Sequence, residues 1–251
     1  MACLRYFHVL LYKKNMKKGI LLGSTIVLIL TFVVCMIVFH LIHPPLKKVH
    51  ADILRLFPVL ERICKDHNLS YWIEGGTLLG AVRGKSIIPW DDDADVGMLE
   101  EDCERLLNMD LSAYGVELQI HSDTDGGKPA LIQFSFPGQN HLVWIDIFPR
   151  RLEGDYYVLV GWAKEKWPNN NFERLCYDGH TTYELNGLKV RGPKQPLAYL
   201  ENAYGGDWRT PKATHIHTFS GFRGHPVYLP FMVATPLLLT GALAYSILYK
   251  R

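Results

Sequence analysis

Apolar residues recur with helical spacing in three stretches of the chain. From Val49 to Cys64 they recur every three or four positions, which predicts an amphipathic helix. Pro58 lies inside this pattern and is expected to kink or split the helix. Residues 99–108, LEEDCERLLN, predict a second helix whose acidic first turn suits the helix dipole. A last short helix is predicted over PLAYLENAYG, residues 196–205.

Shorter apolar runs between these helices predict β-strands. LSYWI, residues 69–73, leads into a glycine turn, and TLLGAVRG then predicts a short helix before a strand within DADVGM, residues 93–98. Three more strands are predicted around residues 116–120, 131–136 and 142–148. Residues 161–193 show no regular pattern. This order of elements predicts an α/β or α+β domain with a small mixed sheet.

Two longer apolar runs flank this middle part. Residues 19–43 contain no charged side chain, and about 20 apolar residues suffice to cross the ~30 Å hydrocarbon layer of a bilayer. Lysines and arginines are more numerous before this run than after it, which predicts a transmembrane anchor with a cytoplasmic N-terminus. Residues 227–249 are long enough for a second transmembrane helix. The alternatives are a cleaved signal peptide for the first run and an apolar helix packed on the domain for the second.

These runs divide the chain into four predicted segments. Residues 1–18 form a basic cytoplasmic tail, 19–43 the anchor, 47–226 the folded domain and 227–249 the second transmembrane helix. This topology makes a membrane an expected partner and places the folded domain in the lumen of the Golgi or the endoplasmic reticulum. The net charge of +2 over 251 residues gives no basic stripe for nucleic acid, and the five cysteines show no C-x2-C zinc spacing.

Four aspartates fall within the five residues 91–95 of IIPWDDDADVGM. Asp93 and Asp95 are two positions apart, so on a strand their side chains point the same way. Such close carboxylates raise each other's pKa unless a cation lies between them. Asp146 is a third carboxylate in the apolar strand VWIDIF, where a lone charge is costly unless it is paired or bound to a metal. Oxygen ligands in this number predict Mg²⁺ or Mn²⁺.

A calcium loop is a rival interpretation of these aspartates. Its pattern, D-x-[DN]-x-[DN]-G-x5-E, fits Asp91, Asp93 and Asp95. The glycine position is occupied by Val96, however, and the final glutamate position by Asp102. The sequence therefore excludes this type of calcium site.

Groups able to hold phosphates lie just before the aspartates. Gly75 and Gly76 follow a strand, and adjacent glycines let backbone N–H groups approach an anion closely. Arg83 and Lys85 offer positive charge to the same phosphates. Trp90 is a candidate for stacking on a base or sugar, or alternatively for packing beside the site. A glycine turn, paired carboxylates and a third carboxylate together predict phosphoryl or nucleotidyl transfer.

The stretch YWIEGGTLLGAVRGKSIIPWDDDADVGM, residues 71–98, closely resembles the signature of the LicD family, which also contains fukutin and fukutin-related protein. The likeness continues through VWIDIFP and NGLKVRGPKQPLAYLENAYGGDW and covers about residues 50–210. It implies a nucleotidyltransferase fold of the type found in DNA polymerase β. It also implies an enzyme that moves a phospho-alcohol, such as phosphocholine or ribitol phosphate, from a CDP-alcohol to a hydroxyl of a glycan or glycoconjugate, with release of CMP.

The resemblance also implies roles for individual positions. Asp91 stays open, since it either joins the metal ligands or forms the pair with Asp93. Asp92 breaks the strand alternation and is expected to face away from the others. Asp146 either completes a second metal site or takes the proton from the acceptor hydroxyl. Carried over residue by residue, the family pattern gives a phosphate site at Gly75, Gly76 and Thr77, metal ligands at Asp93 and Asp95, and a third catalytic carboxylate at Asp146.

Three functions follow as alternatives. The first is metal-dependent transfer of a phospho-alcohol. The second is transfer of a nucleotide itself by a membrane-anchored nucleotidyltransferase with release of pyrophosphate, which the same carboxylates would serve. The third is a catalytically inactive protein that binds nucleotide or glycan. A degenerate site typically lacks an acid, and none of the expected acids is missing here, which favours catalysis.

Overall fold

The computed structural model describes residues 45–122, 127–138, 143–174 and 180–212, together with residues 26–37 and the single positions 16, 19, 23, 235, 238 and 241. The chain divides into two units. One unit consists of Pro44–His225, and the other combines Met1–His43 with Pro226–Arg251. The helices and strands named below belong to the first unit.

No helix in the described part of the chain is both long and apolar enough to cross a membrane. Within the run at 19–43, residues 26–37 are described as continuous helix. Nearly all of the run at 227–249 lies outside the described residues. The predicted fold with two flanking transmembrane helices is therefore wrong in that respect.

A long amphipathic helix begins the domain, as the periodicity predicts. Helix α1, Leu46–Asp66, completely buries an apolar face that includes Val49, Ile53 and Leu60. Pro58 lies inside the helix and does not split it, since α1 continues for two further turns. The proline removes one backbone N–H, and burial of the apolar face compensates for the missing hydrogen bond.

Short helices and strands alternate through the rest of the described domain. Residues 161–193, for which the sequence predicted no regular structure, contain a helix and three of these strands. The elements in chain order are β1 (Tyr71–Ile73), α2 (Gly75–Gly84), β2 (Ala94–Leu99), α3 (Glu100–Leu107), a 3-10 helix (Ser112–Tyr114), β3 (Glu117–Ser122), β4 (Pro129–Ser135), β5 (Ile145–Glu153), β6 (Tyr156–Leu159), α4 (Gly161–Lys166), β7 (Phe172–Glu173), β8 (His180–Leu185), β9 (Leu188–Pro193) and α5 (Pro196–Tyr204).

Strands β1 to β7 form a mixed sheet, as the sequence predicts. The strand order is β1-β2-β5-β4-β3, with β6 paired to β5 and β7 paired to β6. Strands β2 and β5 run parallel, whereas the other pairs are antiparallel. Strands β8 and β9 form a separate antiparallel ribbon. The parallel pairing of β2 with β5 brings together two segments that are distant in the sequence.

The two faces of this sheet differ in polarity. On one face, alternate residues of β2 and β5, including Ala94, Val96 and Ile147, are completely buried in the main hydrophobic core. The intervening residues lie on the opposite face, because successive side chains on a strand alternate. That opposite face carries Asp95 and Asp146. The sheet thus separates the main hydrophobic core from the face that carries these acids.

Candidate active site

A row of polar side chains crosses the middle of the sheet. Asp95 on β2 lies directly opposite Asp146 on β5, and Asp146 lies opposite Gln133 on β4. Glu74 extends the row on the other side, because its backbone N–H donates a hydrogen bond of 3.1 Å to the carbonyl oxygen of Asp95. The pairing of the strands therefore determines which acids face one another.

Two groups of carboxylates lie close enough to share a cation. Asp93, Asp95 and Asp146 each place a carboxylate oxygen within 4.8 Å of the others. Asp91, Asp92 and Asp93 form a second such group, so Asp93 belongs to both. Hard oxygen ligands are the donors that Mg²⁺ and Mn²⁺ prefer when they also bind phosphates. The side chains gathered at the start of β2 thus fit these ions.

Burial and mutual repulsion disfavour the charged forms of these acids. Burial raises the pKa of Asp146 well above its ordinary value, and the negative charges of Asp93 and Asp95 raise it further. A hydrogen bond from Gln133 opposes this change in the pKa of Asp146. The pKa of Asp91 is raised in the same way, first by burial and then by the charges of neighbouring aspartates. Positive charge brought to this cluster would stabilise the ionised acids.

Asp92 lies with the other aspartates, contrary to the sequence prediction. Its side chain is buried, lines the cleft described below and belongs to the carboxylate group with Asp91 and Asp93. Strand β2 begins only at Ala94, so the alternation that would turn Asp92 away does not apply at this position. The prediction that Asp92 faces away is wrong.

The glycine pair at the start of α2 makes room for two of these acids. A Cβ added to Gly75 would lie 2.4 Å from Asp95 Oδ2, and one added to Gly76 would lie 2.6 Å from Asp91 Oδ2. Gly75 also has a φ of +53°, a conformation that favours glycine. The Gly76 N–H donates a hydrogen bond of 2.8 Å to Asp95 Oδ2. The Gly75 N–H donates one of 3.0 Å to the hydroxyl of Tyr199. This turn holds the acid cluster, and its contact with phosphate stays a prediction.

Thr77 contacts the acid-bearing strand rather than the cleft. Its buried hydroxyl oxygen accepts a hydrogen bond of 2.7 Å from the backbone N–H of Asp95. Thr77 is not one of the cleft-lining residues in the described part of the chain. The contact with substrate that the family pattern implies for Thr77 stays a prediction.

A cleft of about 580 Å³ lies next to the acids. This volume falls within the roughly 300–1,000 Å³ that is usual for small-molecule sites. One part of its lining is polar and comes from the glycine turn, Asp91 and Asp95. Another part is aromatic and comes from Trp90, Phe148 and Trp167. The cleft can therefore offer charge and flat apolar surfaces to the same ligand.

The other predicted substrate-binding residues divide between the cleft and the surface. Trp90 and Arg83 line the cleft, and Arg83 also donates a hydrogen bond of 3.4 Å to the backbone oxygen of Trp208. Lys85 does not line the cleft, because its ammonium group lies 3.3 Å from the carboxylate of Glu184 on the ribbon. The structure thus brings Arg83 and Trp90 to the site and leaves Lys85 outside it.

A buried ion pair beside the glycine turn was not predicted. Arg150 on β5 and Glu74 are almost completely buried, and Arg150 Nε donates a hydrogen bond of 3.0 Å to Glu74 Oε2. Arg150 also donates to the backbone oxygen of Asn170, which lines the cleft. The absence of a side chain at Gly97 leaves room for Glu74, since a Cβ there would clash with its carboxylate. The sequence signal that could have indicated this pair is the positive charge of Arg150 at the end of the apolar stretch IDIFPR.

His50 supports the aspartate loop from helix α1. Its Nε2 lies 2.6 Å from the carbonyl oxygen of Asp91, so the ring N–H donates to that oxygen. Burial lowers the pKa of His50, and the hydrogen bond to Asp91 acts in the opposite direction. Nothing in the local sequence indicates this contact, because α1 and the loop are brought together only by the fold.

Residues 68–195 match the family model described as LicD/FKTN/FKRP, nucleotidyltransferase domain. The match covers just over half of the chain. The chain belongs to the LicD family. The resemblance carried by the signature at residues 71–98 is thereby confirmed, and this signature contains both the glycine turn and the aspartate cluster.

Individual relatives extend this finding. The chain is 59% identical over 145 residues to the ribitol 5-phosphate transferase FKRP of Mus musculus. The aligned residues cover 54% of this chain and 27% of the relative. It is 39% identical over 82 residues to the lipopolysaccharide cholinephosphotransferase LicD of Haemophilus influenzae, covering 33% and 29% respectively. It is 27% identical over 165 residues to an uncharacterized protein of Rickettsia typhi, covering 63% and 47%. The chain spans about half the length of these relatives or less.

Proposed function

We propose that this LicD-family protein transfers a phospho-alcohol from a CDP-alcohol to a hydroxyl of a glycan or glycoconjugate, with Mg²⁺ or Mn²⁺ as cofactor. The observation that carries the proposal is the group formed by Asp93, Asp95 and Asp146, whose carboxylate oxygens lie within 4.8 Å of one another. Asp95 of this group lines the cleft. The names of two relatives, a cholinephosphotransferase and a ribitol 5-phosphate transferase, support this class of reaction.

The reaction is an in-line displacement at phosphorus. The acceptor oxygen forms a bond to the phosphorus that carries the alcohol, and the bond from that phosphorus to the CMP oxygen breaks. The acceptor hydroxyl loses its proton in the same reaction, and we assign this proton to Asp146. The position of Asp146 supports this role, because its carboxylate lies within 4.8 Å of those of Asp93 and Asp95, next to the proposed metal site.

The remaining groups bind and orient. Asp93 and Asp95 would hold the metal, with Asp91 as a further oxygen donor. The ion, when bound, supplies positive charge for the phosphate oxygens. The guanidinium of Arg83 would pair with the same phosphates, and Trp90 would stack on the base or sugar of the donor. Gly76 supports the arrangement by donating its N–H to Asp95.

Release of CMP by the purified full chain tests this proposal. The chain is incubated with Mn²⁺, a panel of CDP-alcohols and model glycans, and the nucleotide product is identified by chromatography. We expect CMP with one donor, and a loss of at least about 100-fold in Asp146→Asn, because a general base contributes on this order. Asp155→Asn removes an exposed acid from the turn after β5 and is the matched control, with unchanged activity expected.

Two outcomes would contradict the proposal. Release of pyrophosphate from a nucleoside triphosphate, with no CMP from any CDP-alcohol, would instead indicate nucleotidyl transfer. Binding of a CDP-alcohol without turnover by the folded, Mn²⁺-loaded protein would indicate a binding protein that lacks catalytic activity.

A further inference from the structure

Three side chains form a hydrogen-bonded chain from the edge of the sheet to Asp146. Gln133 Nε2 donates to Asp146 Oδ1 at 3.2 Å. Nε2 of His121 lies 3.1 Å from Gln133 Oε1. His121 is half-buried on β3, which among the described strands pairs only with β4 and so lies at an edge of the sheet. The chain of contacts thus runs from a partly solvent-accessible histidine to a buried acid.

The chemistry of these groups gives the chain one direction. In the form that can act as a base, Asp146 is ionised and only accepts hydrogen bonds, which agrees with the amide nitrogen of Gln133 facing Asp146. The amide oxygen then faces His121, and since an amide oxygen only accepts, Nε2 of the ring must carry a hydrogen. Each side chain therefore fixes the orientation of the next.

The orientation of Gln133 depends on His121. An amide can rotate by half a turn, which exchanges its oxygen and nitrogen. Without a donor at the histidine position, the rotated amide would place its oxygen against Asp146, close to the charges of Asp93 and Asp95. In the observed orientation the amide nitrogen of Gln133 donates to Oδ1 of Asp146, which holds the carboxylate in place.

We propose that Gln133 and His121 are positioning residues, which hold the carboxylate of Asp146 in the orientation in which it takes the proton of the acceptor hydroxyl. This inference rests on the proposed transfer of a phospho-alcohol. His121 acts through Gln133 and touches neither the substrate nor the aspartates that would hold the metal. Its loss should therefore slow the chemical step and leave donor binding intact.

Kinetics of variants in the full chain test the inference. In His121→Ala we expect kcat to fall about fivefold to tenfold, as for one lost hydrogen bond, with KM for the CDP-alcohol within about twofold. Gln133→Leu should lose roughly 30-fold in kcat, because it removes a hydrogen bond to a charged group. His121→Gln should recover most of the wild-type rate, since its amide can donate to Gln133. Gln119→Ala, exposed on the same face of β3, is the matched control.

Two measurements do not depend on turnover. The affinity for Mn²⁺ should be the same within about twofold in wild type and His121→Ala, because this arrangement orients a proton acceptor. In NMR spectra, the side-chain amide protons of Gln133 should exchange slowly with water in wild type and His121→Gln, and faster in His121→Ala.

Different experimental results would overturn this inference and the proposed function. An active wild type with unchanged kcat in His121→Ala and Gln133→Leu would overturn the positioning role alone. A rise in KM without a fall in kcat, or a rate in His121→Gln no higher than in His121→Ala, would also overturn it. A wild type that binds Mn²⁺ and shows no CMP release would overturn the proposed function, and the inference with it.

Discussion

Gly75 and Gly76 determine how closely helix α2 approaches the acids. Each position where a Cβ would project is occupied by a carboxylate, that of Asp95 or of Asp91. The left-handed backbone at Gly75 adds a second reason for glycine at that position. At the scale of the residue, the site is therefore formed as much by missing side chains as by the acids themselves.

Gly75→Ala should reduce both stability and activity. The strained backbone costs ~1–2 kcal/mol, and Asp95 must also move away from the new methyl group. Gly154→Ala is the matched control, because Gly154 has a similar φ of +59° and no atom lies within 4 Å of its added Cβ. Chemical denaturation and CMP release would be measured for both. Equal loss of activity in the two variants would contradict a specific role for Gly75.

Arg150→Met should destabilise the domain by ~3–5 kcal/mol, because it leaves the carboxylate of Glu74 buried without its partner. The adjacent Arg151 pairs with Glu100 at an exposed position, so Arg151→Met should cost less than ~1 kcal/mol. Adding Glu74→Gln to Arg150→Met should recover part of the loss. Similar denaturation midpoints for the two single variants would contradict this account of the buried pair.

The sequence predicts those site residues whose signal is local. Asp93 and Asp95 stand out by their spacing, and Asp146 by its charge within an apolar strand. Gln133 and Tyr199 give no such signal. Gln133 contacts Asp146, and Tyr199 contacts the N–H of Gly75, only because distant segments pair and pack in the fold. The sequence pattern thus predicts the acids of the site, whereas the residues that orient these acids are recognised only in the folded structure.

At the scale of the element, the ribbon of β8 and β9 anchors the loop that precedes the aspartates. Its turn contains Asn186 and Gly187, both with positive φ. Asn186 Oδ1 accepts a hydrogen bond of 2.8 Å from the backbone N–H of Ile87, and the Asn186 N–H donates one of 2.8 Å to the carbonyl oxygen of Lys85. The turn therefore binds residues 85–87, the segment that directly follows α2.

Asn186→Ala should destabilise the domain by ~1–2 kcal/mol. It removes the acceptor for Ile87 and places alanine at a φ of 50°, which asparagine tolerates better. Thr182→Ala, an exposed change on β8, should be close to neutral and serves as control. Urea denaturation would measure both. An effect of Asn186→Ala no larger than that of Thr182→Ala would contradict the proposed anchoring.

Elements with a clear period were predicted, and elements defined by turns were missed. The face of α1 and the existence of strands β3, β4 and β5 follow from apolar spacing. The β8–β9 hairpin lies in a region without regular apolar spacing, although Asn-Gly is a strong hairpin signal that was present at residues 186–187. The parallel pairing of β2 with β5 could not be predicted from local patterns, because it depends on the order of strands in the whole sheet.

At the scale of the whole molecule, ionisation of the acid cluster lowers the stability of the folded domain. Asp91 and Asp146 have raised pKa values in the folded domain. As pH rises above about 4, the ordinary aspartate value, the unfolded chain releases protons that the folded chain retains. The free energy of unfolding without divalent ions therefore falls as pH rises from the unfolded toward the folded pKa.

Asp146→Asn should relieve this loss. At pH 7 without divalent ions, its Tm should exceed that of wild type by a few degrees, with about 2–4 °C for each ~1 kcal/mol in a domain of this size. The difference should disappear below about pH 3, where the wild-type acid is largely protonated in both states. Asp155→Asn is the exposed control, and its Tm should follow wild type throughout. An equal shift at both pH values would contradict the assignment to charge.

The most direct test of the central claim is the mass of a model glycan acceptor after incubation with the full chain, Mn²⁺ and a CDP-alcohol. The account predicts a gain equal to one phospho-alcohol unit, present with wild type and Asp155→Asn and lost with Asp146→Asn. A gain equal to a nucleotide, or an equal gain with Asp146→Asn, would contradict it.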